Sequence, residues 1–115
     1  MQNFAHTSEG CNWIGVAGQV FTTSGKTINN IVVNVTGTLN GKSIDQLGMS
    51  GTSRFYGPGG YEVVLGSKPV NSTGVMTITL LDLNGAQISD HLHFDTFADC
   101  RKNLVIVNFT QKAVH

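Results

Sequence analysis

Three side chains in the last third of the chain have the types and the spacing of metal ligands. His91, His93 and Asp95 stand two residues apart in the run DHLHFD. Alternate residues of a strand share a face, so these three side chains would lie opposite Leu92 and Phe94. Two imidazoles and a carboxylate can bind zinc, and a metal-dependent activity is one hypothesis for this run. Because no fourth ligand is evident, the sequence favours an exposed, metal-free strand face.

The stretch VFTTSGKT, residues 20–27, ends like a phosphate-binding loop. Such a loop needs the pattern G-x-x-x-x-G-K-[ST] and a following helix, because glycine amides and the helix N-terminus hold the phosphates. Here the first position is Val20, and residues 28–36 are rich in β-branched side chains that alternate at a strand period. The sequence therefore predicts a hairpin turn between two strands at residues 24–27, and no nucleotide site.

Aromatic residues could offer a stacking platform for a sugar. Tyr61 belongs to the alternating run 61–65 and is assigned to the core, which leaves Trp13, Phe55 and Tyr56 as candidate ligand-binding residues. A carbohydrate-binding module is the first alternative function on this ground. No serine or cysteine has a recognisable base beside it in the pattern, so the sequence predicts neither catalysis nor a cofactor.

The two cysteines, Cys11 and Cys100, each stand just before an apolar, strand-like run. If those strands run in the same direction, both cysteines lie at the same end of the domain. A disulfide between them would close a loop of nearly the whole chain. By lowering the entropy of the unfolded chain, such a bond would stabilise the fold by about 4–5 kcal/mol. We expect this bond, with two unrelated buried thiols as the alternative, and it implies an extracellular or otherwise oxidising setting.

Composition excludes several classes of function. The chain has 115 residues, which suits one domain, and with 12% charged residues and no net charge it lacks the basic surface that nucleic acid or an anionic membrane attracts. Its apolar runs are too short for a membrane span. The first residues resemble no signal peptide, so a secretion signal, if there is one, lies outside this sequence. Three sequons, at Asn34, Asn71 and Asn108, are little more than this composition yields by chance.

Turn signals divide the chain into short runs. The signals combine glycine with Asn, Ser, Asp or Pro, and they lie at residues 24–25, 40–41, 57–60, 71–74 and 82–85. Apolar residues alternate with polar or small ones between them, as in residues 14–20. This pattern predicts an all-β fold, a single β-sandwich of about seven strands over residues 11–110. Residues 1–10 and 111–115 are expected to be loose.

Several of these motifs, over the first two-thirds of the chain, resemble carboxypeptidase regulatory-like domains. They are the strand 15–21 (GVAGQVF), the turn 24–26 (SGK), the strand 31–35 (IVVNV) and the strand 59–65 (GGYEVVL). Domains of that family begin with a G-x-V strand, a D-x-x-G turn and a strand ending V-x-V, and later carry G-x-Y-x-[FLV]. The chain departs from them at its first turn, which lacks the acidic residue and the proline, and in having a cysteine pair.

The resemblance implies a transthyretin-like or immunoglobulin-like sandwich that serves as an accessory module without catalysis. The expected function is a structural or binding module of a larger secreted or surface protein. Its partners would be other domains of that protein, or a glycan or protein ligand. The alternatives are the carbohydrate-binding module and, second, the metal-dependent activity of the DHLHFD run.

Overall fold

The computed structural model, which describes residues 1–111, is a sandwich of two four-stranded sheets. Its strands are β1 (Ile14–Phe21), β2 (Val32–Leu39), β3 (Lys42–Met49), β4 (Gly60–Gly66), β5 (Ser72–Leu81), β6 (Leu92–Thr96), β7 (Leu104–Ile106) and β8 (Phe109–Thr110). One sheet has the order β4-β1-β7, with β8 also paired to β1, and the other has the order β3-β2-β5-β6. The predicted all-β sandwich is confirmed, with eight strands in the described residues. A short 3₁₀ helix, Arg54–Tyr56, precedes β4.

β1 is the central strand of the first sheet, and both of its faces are buried. Ile14, Val16 and Val20 point between the sheets, as their spacing predicts. Ala17 points to the outer face, where it packs with Trp13 and Leu104 in a second, smaller cluster. Small and apolar residues therefore fill residues 14–18, where neither face meets water, whereas Gln19 and Phe21 near the end of the strand are partly exposed.

The main core lies between the two sheets and is built from alternate residues of facing strands. It includes Val33 and Val35 of β2, Tyr61 and Val63 of β4, and Met76 and Ile78 of β5. All six side chains are buried. The period-two alternation that predicted these strands is therefore the signature of this inter-sheet layer.

On β6 the inward residues differ from the prediction of Leu92 and Phe94. Phe94 and Thr96 are buried, whereas Leu92 is 42% exposed. β6 is an edge strand of its sheet and Leu92 is its first residue, so Leu92 reaches the margin of the core and not its interior.

The SGKT stretch forms a turn, but it does not connect two paired strands. Gly25, with φ of 86°, donates its amide to the Thr22 carbonyl, and Thr27 bridges back to Phe21. The chain then crosses over, because β2 belongs to the other sheet. The predicted hairpin between consecutive strands is thus corrected to a one-bridge hairpin followed by a crossover.

Other turn signals have two outcomes. Asn40 and Gly41 both have positive φ, as a two-residue hairpin between β2 and β3 requires, and Gly85 also has positive φ in the predicted turn at 82–85. The signal at 71–74 is different, because residues 72–74 belong to β5. There Gly74 has positive φ and the register against β6 shifts between Ser72 and Met76, so the predicted turn is a β-bulge.

The beginning of the first strand and the beginning of the terminal strand are joined at one end of the sandwich. β1 and β7 are parallel, with Gly15 opposite Leu104, and Cys11 and Cys100 form a disulfide with their Cα atoms 4.9 Å apart. The predicted pairing is confirmed for the reason given, since parallel strands place both cysteines at the same end. Residues 1–111 contain no helix with the length and hydrophobicity that a membrane span needs.

The N-terminal segment, residues 1–10, is expected from the sequence to be loose but is held against the outer face of the first sheet. The backbone N–H of buried Asn3 donates to the Asn103 side-chain oxygen at 2.9 Å, and the Asn103 side-chain nitrogen in turn donates to the carbonyls of Gly10 and Trp13. These bonds satisfy the buried Asn103 side chain and the backbone amide of Asn3, and removing the Asn103 side chain would leave that amide unpaired. Of the predicted loose C-terminus, residues 112–115 lie outside the described residues.

Gly18 of β1 allows the end of the chain to cross close to β1 between β7 and β8. A Cβ atom at position 18 would clash with the backbone carbonyl of Val107, which accepts a hydrogen bond from the Tyr61 hydroxyl. At this point the backbone N–H of Gln19 has a side-chain acceptor in place of a backbone carbonyl, since it donates to the Asn108 side-chain oxygen at 2.9 Å. The short β7 and β8 are therefore one terminal strand interrupted by a two-residue irregularity.

Gly18→Ala should lower the free energy of unfolding by about 1–3 kcal/mol or more. The added methyl group would meet the backbone of Val107, which cannot move aside as a flexible side chain can. Gly66→Ala on β4 is the matched control, since its methyl group would meet Ile14 at an ordinary 3.4 Å, and it should cost less than about 1 kcal/mol. Urea denaturation of both variants measures the difference. Equal losses would contradict the close crossing.

Candidate functional site

Glu62 is the centre of a polar cluster on the outer face of β4. Its neighbours Tyr61 and Val63 point into the core, so alternation sends Glu62 outward, opposite Ala17 of β1. His6 Nε2 lies 2.7 Å from both carboxylate oxygens. The Glu62 side chain is only 14% exposed, so water does little to weaken this contact.

Aromatic rings surround this cluster and fix its geometry. The His6 ring stacks on Trp13 with ring centroids 5.2 Å apart, and Phe4 meets Tyr56 edge-on at 5.4 Å. The Tyr56 hydroxyl donates to Glu62 Oε2 at 2.7 Å. The N-terminal segment and the 3₁₀ helix therefore close over the outer face of the first sheet, with Glu62 as their common partner.

The environment keeps the Tyr56 hydroxyl protonated. Burial is the largest cause that raises the pKa of Tyr56, followed by its hydrogen bond to Glu62 and the negative charge of that carboxylate. All three disfavour a phenolate. Tyr56 thus acts as a hydrogen-bond donor to Glu62 and not as a base.

The predicted ligand-binding aromatics occupy three different environments. Trp13 is 4% exposed beneath His6, so it has no free face for a sugar, and Tyr56 is half-buried. Phe55 is 67% exposed, because the 3₁₀ helix turns Tyr56 towards the sheet and Phe55 away from it. Of the three, Phe55 is the residue whose ring can meet a ligand.

Phe55 borders an open surface depression of about 560 Å³. The depression is lined by His6, Thr52, Ser53, Arg54, Phe55 and Glu62. An exposed ring beside a carboxylate, a guanidinium and two hydroxyl groups can stack on an apolar ligand face and hydrogen-bond polar groups at its rim. This depression is the candidate binding site of the described residues.

The side chains of His91, His93 and Asp95 lie exposed on the outer face of the second sheet and contact β5 instead of converging. His91 Nδ1 is 2.7 Å from the Thr79 hydroxyl, and His93 Nδ1 is 3.2 Å from that of Thr77. Asp95 accepts the Gly74 amide at 2.9 Å across the bulge. Within residues 1–111, no three His, Cys, Asp or Glu side chains form a group that could hold a metal ion. The geometry therefore gives the metal-dependent hypothesis no support.

His6 and Glu62 were missed in the sequence. The alternation of residues 61–65 indicated that Glu62 points outward, but nothing indicated its partner, because His6 is 56 residues away and lies in a segment expected to be loose. Asn3 and Asn103 form their contact over 100 residues. A local pattern carries no information about contacts of this range.

Comparison with known proteins finds no matching family model, no matching curated protein and no matching solved structure. The resemblance to carboxypeptidase regulatory-like domains therefore stays a hypothesis, and the function has to be argued from the geometry.

The His6–Glu62 contact should stabilise the fold as a coupled pair. A double-mutant cycle of His6→Gln and Glu62→Gln should give a coupling energy of about 1–3 kcal/mol, since a half-buried, charge-assisted hydrogen bond is lost in each single variant. The exposed pair His93 and Thr77 is the control, and its coupling should stay within about 0.5 kcal/mol of zero. Equal coupling energies in urea denaturation would mean that Glu62 does not hold the N-terminal segment.

Proposed function

We propose that this chain is a non-catalytic structural or binding module of a larger secreted or cell-surface protein. The observation that carries the proposal is the disulfide between Cys11 and Cys100. Disulfides form and persist in oxidising compartments and are rare in the cytosol. A bond that closes almost the whole sandwich is a structural bond, so its role is to keep the module folded outside the cell.

The path of the chain suits a module joined to neighbours at both ends. Met1 pairs with Leu104 near the disulfide, whereas Gln111 donates its amide to Phe21 at the far end of β1. The longest dimension of the domain is 42 Å. A neighbour before this domain and one after it would therefore attach at opposite ends, as in a serial arrangement of domains.

The strand order differs from that of constant-type immunoglobulin domains, so we propose the transthyretin-like form of the two that the resemblance implies. Immunoglobulin constant-type domains have the sheets ABED and CFG, in which the first strand pairs with the second. Here β1 pairs with β4, β7 and β8, and β2 lies in the other sheet. A carboxypeptidase regulatory-like module is the family we propose on the motifs at residues 15–35 and 59–65.

The proposal assigns no catalysis to the cluster at Glu62. Both of its carboxylate oxygens already have a partner, His6 at both and Tyr56 at one. A general base must reach the proton it removes, and this carboxylate is engaged in holding the N-terminal segment. Its role in the proposal is therefore structural.

Carbohydrate binding is the second candidate function, and exposed Phe55 favours it. A sugar presents apolar C–H faces that stack on aromatic rings and hydroxyl groups that bond to neighbouring polar side chains. Arg54, Thr52 and Ser53 lie beside Phe55 in the same depression. A glycan ligand would stack on this ring with its hydroxyl groups towards those three side chains.

The disulfide gives the direct test of the first proposal. In protein made in an oxidising compartment, unfolded without reductant, a maleimide label should find no free thiol, and after reduction it should find two. Two labelled cysteines before reduction would overturn both the bond and the extracellular placement.

A glycan array tests the second candidate. A glycan that binds the wild-type chain should bind the Phe55→Ala variant at least about tenfold more weakly, a loss of about 1.4 kcal/mol. Phe97→Ala is the control, because Phe97 is also a partly exposed ring and lies outside the depression, and it should leave binding unchanged. A blank array, or equal losses in both variants, would remove the carbohydrate site from the account.

A further inference from the structure

The terminal strand and the disulfide form one continuous line along the domain. β7 begins at Leu104, shortly after Cys100, and pairs with the start of β1. β8 pairs with the end of β1, where Thr110 lies opposite Phe21. Residues 100–111 therefore run the length of the first sheet, from the disulfide to the opposite end.

We propose that the domain is a load-bearing link, in which tension between its neighbours passes through the disulfide and along residues 100–111. This rests on the proposed function, because the chain bears load only when it is joined to other domains. The sandwich enclosed by the disulfide then lies outside the path of the load.

The physical reason is that the disulfide and residues 100–111 can lengthen only slightly under tension. Beyond the turn at residues 100–102, the chain runs along β1 as β7 and β8, and a strand already rises about 3.3 Å per residue, close to the limit of about 3.6 Å for a fully stretched chain. The disulfide spans a sequence separation of 89 residues, and while it is intact those residues cannot be drawn out. Tension therefore releases at most the N-terminal segment that precedes Cys11 and the turn at residues 100–103.

The terminal strand is also fastened to β1 in the geometry that resists tension best. While the disulfide is intact, the covalent line through Cys11 and Cys100 carries the load, and the bonds between β1 and the terminal strand carry it only when the disulfide is absent. β1 and β7 are parallel, so in that state a pull on Cys11 and on Gln111 acts in opposite directions along the two strands. All the bonds between them are then loaded together. In peeling, by contrast, a pull at one end breaks them one after another.

Side chains reinforce these strands at the interruption between β7 and β8. The Val107 amide donates to Ala17 at 2.9 Å, and the Tyr61 hydroxyl donates to the Val107 carbonyl. The Asn108 side chain accepts the Gln19 amide at 2.9 Å. The interruption therefore leaves no gap in the line of bonds that a shearing load would have to break.

Single-molecule stretching tests the covalent part of the proposal. The wild-type chain, held by its termini between marker domains of known unfolding length, should show no step longer than about 50 Å, the reach of residues 1–10 and of the turn at residues 100–103. The double variant Cys11→Ser with Cys100→Ser should lengthen by about 320 Å more, the reach of the 89 residues that the bond spans. A step of about 320 Å from wild-type protein without labelled thiols would overturn the proposal, because the bond would then yield under load.

The direction of pulling tests the shear part in the cysteine-free double variant. Handles attached through Asn12→Cys and Gln111→Cys load β1 against β8 in shear, whereas handles through Thr23→Cys and Gln111→Cys start at the same end of both strands and peel them apart. All three positions are exposed. The shear pair should unfold at a force at least about twice that of the peel pair, because forced unfolding follows the unfolding rate in each geometry. Equal forces would overturn the shear arrangement.

These outcomes separate this inference from the proposed function. Free thiols in protein from an oxidising compartment contradict the proposed function. An intact disulfide with a long wild-type step, or with equal shear and peel forces, contradicts the load-bearing role alone. If the double variant does not fold, the wild-type measurement still decides the covalent part.

Discussion

Burial of β1 on both faces and at both edges is the constraint on which the rest of the structure depends. Its inner residues Ile14, Val16 and Val20 anchor the core between the sheets, and its outer residue Ala17 anchors the smaller cluster with Trp13. β4 pairs with one edge, and β7 and β8 pair with the other. A strand covered in this way can be assembled only after the chain has returned to it twice, which makes the fold dependent on contacts of long range.

Several contacts hold the N-terminal segment and the terminal strand against β1 and its sheet. The disulfide fixes the start of the terminal strand, Gly18 and Asn108 allow that strand to approach closely, and Glu62 fastens the N-terminal segment over the outer face. The same features carry the functional argument. In our proposal, a domain closed by a covalent bond just before its first strand and its terminal strand serves as a link between other domains, and the depression at Phe55 would give that link one surface for a ligand.

Local patterns in the sequence predicted what depends on local chemistry. Alternation located the strands, Asn40-Gly41 specified a two-residue hairpin, and the equivalent positions of Cys11 and Cys100 before two strands predicted their bond. The crossover after residue 27 could not be predicted, because a strand period does not say which sheet a strand joins. The signal at 71–74 was ambiguous for a related reason, since the positive φ of Gly74 serves a bulge as well as a turn.

The candidate site was the least predictable part. His6 and Glu62 meet because an N-terminal segment without any strand pattern folds back over β4, and the burial of Trp13 follows from that same segment. Of the three aromatic residues predicted to bind a ligand, Phe55 is the one that is exposed. Sites built from long-range contacts of irregular segments require the fold before they can be recognised.

Native-state hydrogen exchange tests the central position of β1 most directly. Amide protons of residues 15–21 should exchange only through global unfolding, with the slowest rates in the protein, while those of the edge strand β6 exchange faster through local opening. Reduction of the disulfide should speed exchange in β1 and in β7 together. Exchange in β1 that is as fast as in β6, or that is unchanged when the disulfide is reduced, would contradict the account.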